Sequence, residues 1–201
     1  MLPRRINPTL FVVAAAAVAI GVGLLSAWAT LQPKEEPDSP PREVSPEQEF
    51  AGVTSYAINQ PPTRQAADAS LADEEEVIGV SVNCKYRAYR IRALSGDPRW
   101  HVVNDWLGDA PVSVVHCDRT ECSTVFTDKG AKAPLNLTFG GWSHNSLLLR
   151  ADGALYTQSM LQPIDHKRGP FPFAPASFMK TTWKEWRTAH PDTDVYVGVG
   201  E

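Results

Sequence analysis

Alternating apolar and polar residues between residues 77 and 159 predict a series of short β-strands joined by tight turns. Three pairs of alternating segments are interpreted as hairpins: residues 77–83 with 86–94, 112–117 with 122–127, and 146–150 with 155–159. Polar residues or an Asp-Gly pair lie between the two segments of each pair and favour tight connections. Because strands joined by tight turns pair antiparallel, the pattern predicts an antiparallel β meander or barrel-like domain.

One short helix is predicted after these strands, near the C-terminal end of the chain. Thr182 and Glu185 have the spacing of a capping box, in which the two side chains bind backbone N–H groups at the start of a helix. Trp183 and Trp186 are three residues apart, so they share one helix face and should dock the helix on the sheet. The helix is expected to stop before Pro191. The predicted fold class is therefore mainly β (α+β), with one short C-terminal helix.

The N-terminal part of the chain predicts export across a membrane. Residues 10–31 contain no charged residue, and as a helix they would span about 33 Å, which is enough to cross a bilayer. Arg4 and Arg5 precede this run and should keep its N-terminal end in the cytoplasm, which places the rest of the chain outside. Residues 27–29, Ala-Trp-Ala, also match a cleavage pattern. Residues 1–31 are therefore a transmembrane anchor or a removable signal peptide.

Composition divides the remaining chain into a spacer and a globular part. Residues 32–76 hold eleven acidic and three basic residues, seven prolines and few large apolar residues, which favours a disordered, extended linker. Residues 77–201 hold fourteen basic and twelve acidic residues and are long enough to form one core. Such a balanced charge argues against a nucleic-acid-binding protein. The predicted domains are residues 1–31, 32–76 and 77–201.

The central predicted hairpin holds the reactive side chains of the globular part. Cys117 ends its first strand and Cys122 begins its second, with residues 118–121 as a four-residue loop. Residues directly opposite each other on antiparallel strands have Cβ atoms about 4.5–5.5 Å apart, so the two sulfurs should be neighbours. A structural disulfide, a metal site and a reversible dithiol all suit this arrangement, and the residues leave the three alternatives open. Cys84 lies at another predicted turn and is interpreted as a structural or incidental thiol.

Two histidines are candidates to complete a metal site with these cysteines. His101 comes from a separate segment and is the better partner, because His116 precedes Cys117 and should point to the opposite sheet face. The candidate metal ligands are Cys117, Cys122, His101 and His116, and thiolate with imidazole suits copper, zinc or haem iron. For each histidine alone, a hydrogen-bonded structural role is the competing interpretation.

Five short segments of the globular part carry a family resemblance. They are Arg-Ala-Tyr at residues 87–89, His-Val-Val-Asn-Asp at residues 101–105, the strand entering Cys117, the block at residues 145–158 and the tryptophan segment at residues 183–193. In this order they resemble an uncharacterised bacterial family called domain of unknown function 3179. The motif residues that carry the resemblance are Asn104, Asp105, Asn145, Gln158, Trp183 and Trp186.

The resemblance also bears on the cysteines. A Tyr-Cys-Pro-x-Cys-like segment commonly occupies the central position in that family. Cys117 matches its first cysteine, whereas Cys122 matches the second only after a shift. His101 matches the family's histidine before Val-Asn-Asp. Because the family has no established activity, the resemblance implies a domain boundary and no particular reaction.

The combined prediction is an exported accessory domain whose reaction the sequence does not name. The chain has no serine-hydrolase elbow, zinc-protease helix, phosphate loop, dinucleotide fingerprint or C-x-x-C motif, so its status as an enzyme stays open. The leading hypothesis is a membrane-anchored extracytoplasmic domain in which Cys117 and Cys122, with His101, bind a metal or haem or perform thiol redox work. The alternative is a non-catalytic envelope interaction domain in which the two cysteines form only a structural disulfide. The predicted partners are the membrane, through the N-terminal helix, and envelope proteins, without nucleic acid.

Overall fold

The computed structural model describes residues 54–143 and 145–199, which form short strands and one α-helix. The strands are β1 (Ile58–Asn59), β2 (Arg64–Gln65), β3 (Glu76–Val82), β4 (Lys85–Arg90), β5 (Val102–Leu107), β6 (Ala110–Cys117), β7 (Cys122–Thr127), β8 (Thr138–Ser143), β9 (Ser146–Ala151), β10 (Ala154–Thr157), β11 (Ala174–Pro175), β12 (Phe178–Thr182) and β13 (Asp194–Tyr196). The helix, α1, spans Trp183–Ala189. The predicted mainly β class with one short C-terminal helix is confirmed.

These strands form three sheets within the described part of the chain. Sheet I has the order β1-β5-β6-β7-β11, sheet II the order β10-β9-β8, and sheet III the order β12-β3-β4-β13-β2. Each predicted hairpin is present and antiparallel, whereas β1 with β5 and β4 with β13 pair in parallel. The barrel-like prediction is wrong, because the strands divide among three sheets that do not close on themselves. Alternation specifies which face of a strand is apolar, but it does not specify which edges pair.

Sheet I is buried on both faces, because sheet II packs against one face and sheet III against the other. Val115 of β6 clusters with Leu149 of sheet II, and its neighbour Val114 clusters with Ile78 of sheet III. All eight residues of β6 are consequently buried. A strand with two buried faces needs apolar side chains at odd and even positions, which explains the consecutive valines of β6.

The helix α1 begins with the predicted capping box. The Glu185 backbone N–H donates to the Thr182 hydroxyl, and the Thr182 N–H donates to the Glu185 carboxylate, both at 3.3 Å. Trp183 and Trp186 are both buried and pack in one cluster with sheet III residues such as Val77. The predicted role of the two tryptophans in docking the helix on a sheet is therefore confirmed.

The folded part begins before residue 77, so the linker prediction for residues 32–76 is wrong over residues 54–76. In this segment β1 pairs with β5, and β2 pairs with β13. Leu71 also packs partly buried against the cluster of Trp183. These two-residue strands join existing sheet edges through backbone hydrogen bonds, which require no run of apolar side chains. Composition alone therefore gave no indication of them. Residues 32–53 lie outside the described residues.

The predicted membrane segment, residues 10–31, also lies outside the described residues. Across residues 54–143 and 145–199, the structure has no helix that combines the length and the apolar character needed to cross a bilayer.

Candidate functional site

Cys117 and Cys122 lie opposite each other where the β6–β7 hairpin ends. The strand register pairs Cys117 directly with Cys122, and residues 118–121 form the loop between them, as the sequence predicts. Glu121 closes the loop with a φ of 54°, in the left-handed region. Both thiols are free, as is the exposed thiol of Cys84 at the β3–β4 turn. The hairpin therefore presents a pair of neighbouring thiols.

Side chains from two directions hold this pair in place. Cys117 is fully buried, and the Thr120 hydroxyl of the loop donates a hydrogen bond to its Sγ over 2.8 Å. Gln158 is buried just after β10, and its side-chain amide donates to the Cys122 carbonyl and to the Thr124 hydroxyl, both at 3.2 Å. The family-motif residue Gln158 thus ties sheet II to the strand that carries Cys122.

The two thiols differ in their access to solvent. Cys122 is half-buried, whereas Cys117 is fully buried. Burial raises the pKa of the Cys122 thiol, and the neighbouring Cys117 raises it further. Because the thiolate is the nucleophile, Cys122 is a slow nucleophile near neutral pH and gains reactivity as the pH rises. Because Cys122 is the more exposed of the two sulfurs, it is the one that an external reactant would reach first.

His101 is held as a structural side chain. Its imidazole is buried, and Nδ1 lies 2.8 Å from the Leu94 carbonyl oxygen. Since a carbonyl can only accept, Nδ1 carries the proton. Nε2 lies 3.7 Å from the Asp118 carboxylate, and the ring packs edge-on against Trp142 at a centroid distance of 5.6 Å. These contacts match the competing interpretation of His101 as a hydrogen-bonded core histidine.

His116 lies on the hairpin face opposite Cys117, as strand alternation requires. Cys117 packs in the core between sheets I and II, whereas His116 lines a cavity on the other side. Its Nδ1 is 3.0 Å from the Ser123 hydroxyl, and its buried Nε2 has no hydrogen-bond partner among the described residues. His116 and the cysteines therefore do not converge on one point.

No three His, Cys, Asp or Glu side chains in the described part of the chain are grouped closely enough to hold a metal ion. Zinc sites in proteins usually use three or four such ligands at about 2.0–2.3 Å. The candidate ligands Cys117, Cys122, His101 and His116 thus do not form a preassembled metal site. The geometry supports the paired thiols and gives no support to a site that combines them with either histidine.

A polar pocket, which the sequence pattern does not predict, lies beside the cysteine loop of residues 118–121. It encloses about 500 Å³ and is lined by Arg119, Thr120, Trp142, Ser143 and Asn145. The guanidinium carbon of Arg119 lies 4.1 Å from the centroid of the Trp142 ring, a cation–π contact. Asn145 reaches the pocket from the β8–β9 turn, where its φ is 59°. Among the family-motif residues, only Asn145 lines this pocket. Its position in a turn was the sequence feature that could have indicated this role.

Asn104, another family-motif residue, links strands of sheet I to one another and to the segment before β8. Its side-chain amide donates to the Leu137 carbonyl over 2.8 Å and to the Asn59 side-chain oxygen over 3.0 Å. Its own side-chain oxygen accepts a hydrogen bond of 2.6 Å from the Ser113 hydroxyl. Every polar group of this buried amide is therefore used within the fold, so Asn104 has a structural role.

Asp105 belongs to a buried charge network with the Arg-Ala-Tyr motif. Its carboxylate accepts hydrogen bonds from the Arg87 guanidinium over 2.7 Å and from the Tyr89 hydroxyl over 2.8 Å. Arg87 also makes a two-point contact with Asp194, at 2.7 Å for each hydrogen bond. Burial lowers the pKa of Arg87, but the hydrogen bonds to Asp194 and Asp105 outweigh burial and leave that pKa above its ordinary value. This network joins sheets I and III.

The buried imidazole of His116 predicts a loss of stability at acidic pH. Burial is the largest influence and lowers the pKa of His116; Lys180 and His101 lower it further, whereas Glu121 and Asp118 raise it. As the pH falls through 6.5, the ordinary pKa of histidine, the unfolded chain therefore binds a proton before the folded chain does. The free energy of unfolding should decrease as the pH falls from about 7.5 to about 5.5. Urea unfolding of the full-length protein measures this change.

Replacement of His116 isolates this contribution. The His116→Gln variant should lose less stability than the wild type between the two pH values, because its buried side chain does not titrate. The matched control His166→Gln removes an exposed histidine and should keep the wild-type pH dependence. Equal pH dependence in the wild type and in His116→Gln would contradict the assignment.

Comparison with known proteins places the chain in a family without assigning an activity. The model of the family described as "Protein of unknown function (DUF3179)" matches residues 57–198, more than half of the chain. The match begins close to β1, in agreement with the early start of the folded part. Neither a curated protein nor a solved structure matches the chain. The resemblance carried by the sequence motifs is confirmed, and the chain belongs to the DUF3179 family.

Proposed function

We propose that this domain is a thiol–disulfide redox module in which Cys117 and Cys122 interconvert between a dithiol and a disulfide. The observation that carries the proposal is the direct cross-strand pairing of two free thiols. In the oxidising direction, one thiol attacks a partner disulfide and releases one partner thiol. The second cysteine then attacks the mixed disulfide and releases the other. Two electrons and two protons pass from the cysteine pair to the partner.

The position of the pair favours a labile disulfide over a permanent one. Directly opposite residues have Cβ atoms about 4.5–5.5 Å apart, whereas a relaxed disulfide has a Cβ separation of about 3.5–4.5 Å. Bridging Cys117 and Cys122 would therefore require the strand ends to approach each other, and resistance of the sheet to that approach would strain the bond. Strained disulfides are more easily reduced, which suits reversible exchange. Closing a four-residue loop would also stabilise the fold less than a long-range bridge.

The surroundings of the pair suggest a role for each thiol. Cys122 is the more exposed and would form the mixed disulfide, while buried Cys117 would resolve it. The pocket lined by Arg119 and Thr120 lies beside the loop that joins the two cysteines, and the Thr120 hydroxyl donates a hydrogen bond to the Cys117 sulfur. Because burial and Cys117 raise the pKa of Cys122, exchange near neutral pH should be slow. An accessory role fits these properties better than that of a rapid oxidoreductase.

The proposed location of the domain is the extracytoplasmic side of a membrane. An apolar, uncharged run at residues 10–31 that follows Arg4 and Arg5 supports a membrane anchor with this orientation. The compartment outside the cytoplasm is oxidising, so a dithiol there would meet disulfide partners. Envelope proteins with exposed disulfides are the proposed partners.

One alternative is a non-catalytic envelope interaction domain in which the pair forms a permanent staple. Full burial of Cys117 favours this alternative, because a buried sulfur exchanges slowly. Metal or haem binding is a further alternative. A visible absorption spectrum and elemental analysis of the purified full-length protein test it directly.

The exchange test uses full-length protein that carries Cys84→Ser, so that no third thiol interferes. Glutathione disulfide should convert Cys117 and Cys122 to an intramolecular disulfide, and reduced glutathione should reverse this without denaturant. With Cys117→Ser added, Cys122 should retain glutathione as a mixed disulfide. With Cys122→Ser added, the buried Cys117 should react much more slowly. Alkylation followed by intact-mass spectrometry identifies each species.

Two outcomes of this test would contradict the proposal. One is a pair that stays oxidised in excess reduced glutathione under native conditions, which would identify a staple. The other is a pair that glutathione disulfide never oxidises. Similar reactivity of the two single-cysteine variants would contradict the separate roles given to Cys117 and Cys122.

A further inference from the structure

A second cavity lies on the hairpin face opposite Cys117 and carries an excess of negative charge. It encloses about 400 Å³, within the usual size range of small-molecule sites. Its charged lining consists of four carboxylates and one guanidinium: Glu74, Glu75, Glu76, Glu121 and Arg92. The carboxylates come from the start of sheet III and from the cysteine loop, so the fold assembles them from two separate parts of the chain.

The wall of this cavity contains a buried polar atom without a partner. His116 is fully buried, and its Nε2 makes no hydrogen bond within the described residues. Its nearest carboxylate oxygen, on Glu121, is 3.9 Å away, beyond hydrogen-bond distance. Unpaired buried polar side chains are rare in folded proteins. A ligand in the cavity that supplies a hydrogen-bonding atom would complete this site.

The protonation of His116 determines which kind of atom it can bind. Nδ1 lies 3.0 Å from the Ser123 hydroxyl, and a proton on Nδ1 can be donated to that oxygen. Nε2 then presents a lone pair to the cavity. Burial lowers the pKa of His116, which favours a neutral imidazole, and its proton is placed on Nδ1 because Nε2 has no acceptor within hydrogen-bond distance among the described residues. The cavity thus combines a neutral nitrogen acceptor with carboxylate acceptors, which together select a ligand rich in N–H donors.

The position of Lys180 indicates that an ammonium group is accepted beside these carboxylates. Its Nζ lies 3.8 Å from a Glu76 carboxylate oxygen and 3.6 Å from one of Glu121. Both distances exceed a direct hydrogen bond, so the carboxylates keep acceptor positions for a further donor. A bare metal ion is disfavoured, because the described residues contain no group of three suitable ligands.

Glu75 is already paired with Arg90 over 2.7 Å, so Glu74 and Glu121 are the carboxylates considered for a ligand. We propose that this cavity binds a small organic cation whose primary ammonium group donates hydrogen bonds to His116 Nε2 and to the carboxylates of Glu74 and Glu121. Glu74 and Glu121 are exposed and would supply attraction at the entrance, while His116 would bind at the wall. The site is independent of the redox proposal, since it lies on the other face of the hairpin and uses neither cysteine.

The test adds 1,4-diaminobutane to full-length protein with isotopically labelled histidine and follows the imidazole signals by NMR. The signal of His116, assigned through His116→Gln, should shift in a saturable way. Succinate, a dicarboxylate of the same chain length, should cause no such shift. The double variant Glu74→Gln/Glu121→Gln should weaken binding by about tenfold, at roughly threefold for each exposed carboxylate. The control Asp192→Asn removes an exposed carboxylate outside the cavity and should leave binding unchanged.

Three results would overturn the proposal. The first is the absence of a saturable shift of His116 with the diamine. The second is an equal response to succinate, which would indicate that the cavity does not select cations. The third is equal affinity of the double variant and Asp192→Asn for the diamine. That result would mean that binding depends on the overall charge of the protein and not on the carboxylates of the cavity.

Discussion

The Arg87→Met variant is expected to lower the free energy of unfolding by about 3–5 kcal/mol, the usual result of breaking a buried ion pair on one side. Arg87 lies between Asp105, whose side chain is 4% exposed, and Asp194, whose side chain is 15% exposed. Without the guanidinium, the buried Asp105 carboxylate keeps only the hydrogen bonds from the Tyr89 hydroxyl and the Trp106 backbone N–H, and its charge is no longer compensated. Urea unfolding followed by tryptophan fluorescence measures the loss.

The ion pair between Arg99 and Asp97 provides a matched control for this prediction. Arg99 is 62% exposed and lies 2.5 Å from the Asp97 carboxylate, so it has similar geometry without burial. Water screens exposed pairs, and Arg99→Met should therefore change stability far less than Arg87→Met. If the two variants are equally stable, burial is not what makes the Arg87 network important.

The Trp186→Ala variant is expected to destabilise the domain by about 3–5 kcal/mol, as for other large buried aromatic side chains. Trp186 is 3% exposed, and its indole N–H donates to the Thr193 hydroxyl over 3.0 Å. The ring covers Gly79 of β3, so its loss opens a cavity between α1 and sheet III. Thermal and urea unfolding of the full-length protein measure this change. The control Met179→Ala removes a side chain that is 58% exposed and should have a small effect.

Gly79 tests the same contact from the sheet side. A Cβ at this position would lie 2.2 Å from the Trp186 ring, far inside the contact distance. Gly79→Ala should therefore displace the helix and destabilise the domain by about 1–3 kcal/mol. At Gly169 an added Cβ would meet nothing within 4 Å, so Gly169→Ala should leave stability unchanged or slightly higher. Equal effects at the two glycines would contradict the packing of Trp186 on β3.

Local features of the fold could be predicted because neighbouring residues determine them. The pairing of Cys117 with Cys122 follows from the length of the loop between two alternating segments. The start of α1 follows from the spacing of Thr182 and Glu185. The opposite faces of His116 and Cys117 follow from strand alternation alone. In each case the decisive contacts lie within a few residues along the chain.

Features that depend on distant contacts could not be predicted in the same way. Strands β1 and β2 are two residues long and pair through their backbones, so the polar sequence around them resembles a linker. The burial of sheet I on both faces arises only when sheets II and III pack on it. The same limit applies to the candidate sites. Arg119 meets Trp142, and His116 and Glu74 line one cavity, only because the chain returns from a distant position.

The midpoint potential of the Cys117/Cys122 pair tests the central claim most directly. Full-length Cys84→Ser protein is equilibrated in glutathione redox buffers, and the oxidised fraction is measured by alkylation and mass spectrometry. A reversible redox module should have a midpoint between about −300 and −120 mV, the range spanned by thiol–disulfide exchange proteins. A midpoint below about −300 mV would identify a permanent structural disulfide, and a pair that never oxidises would likewise contradict the account.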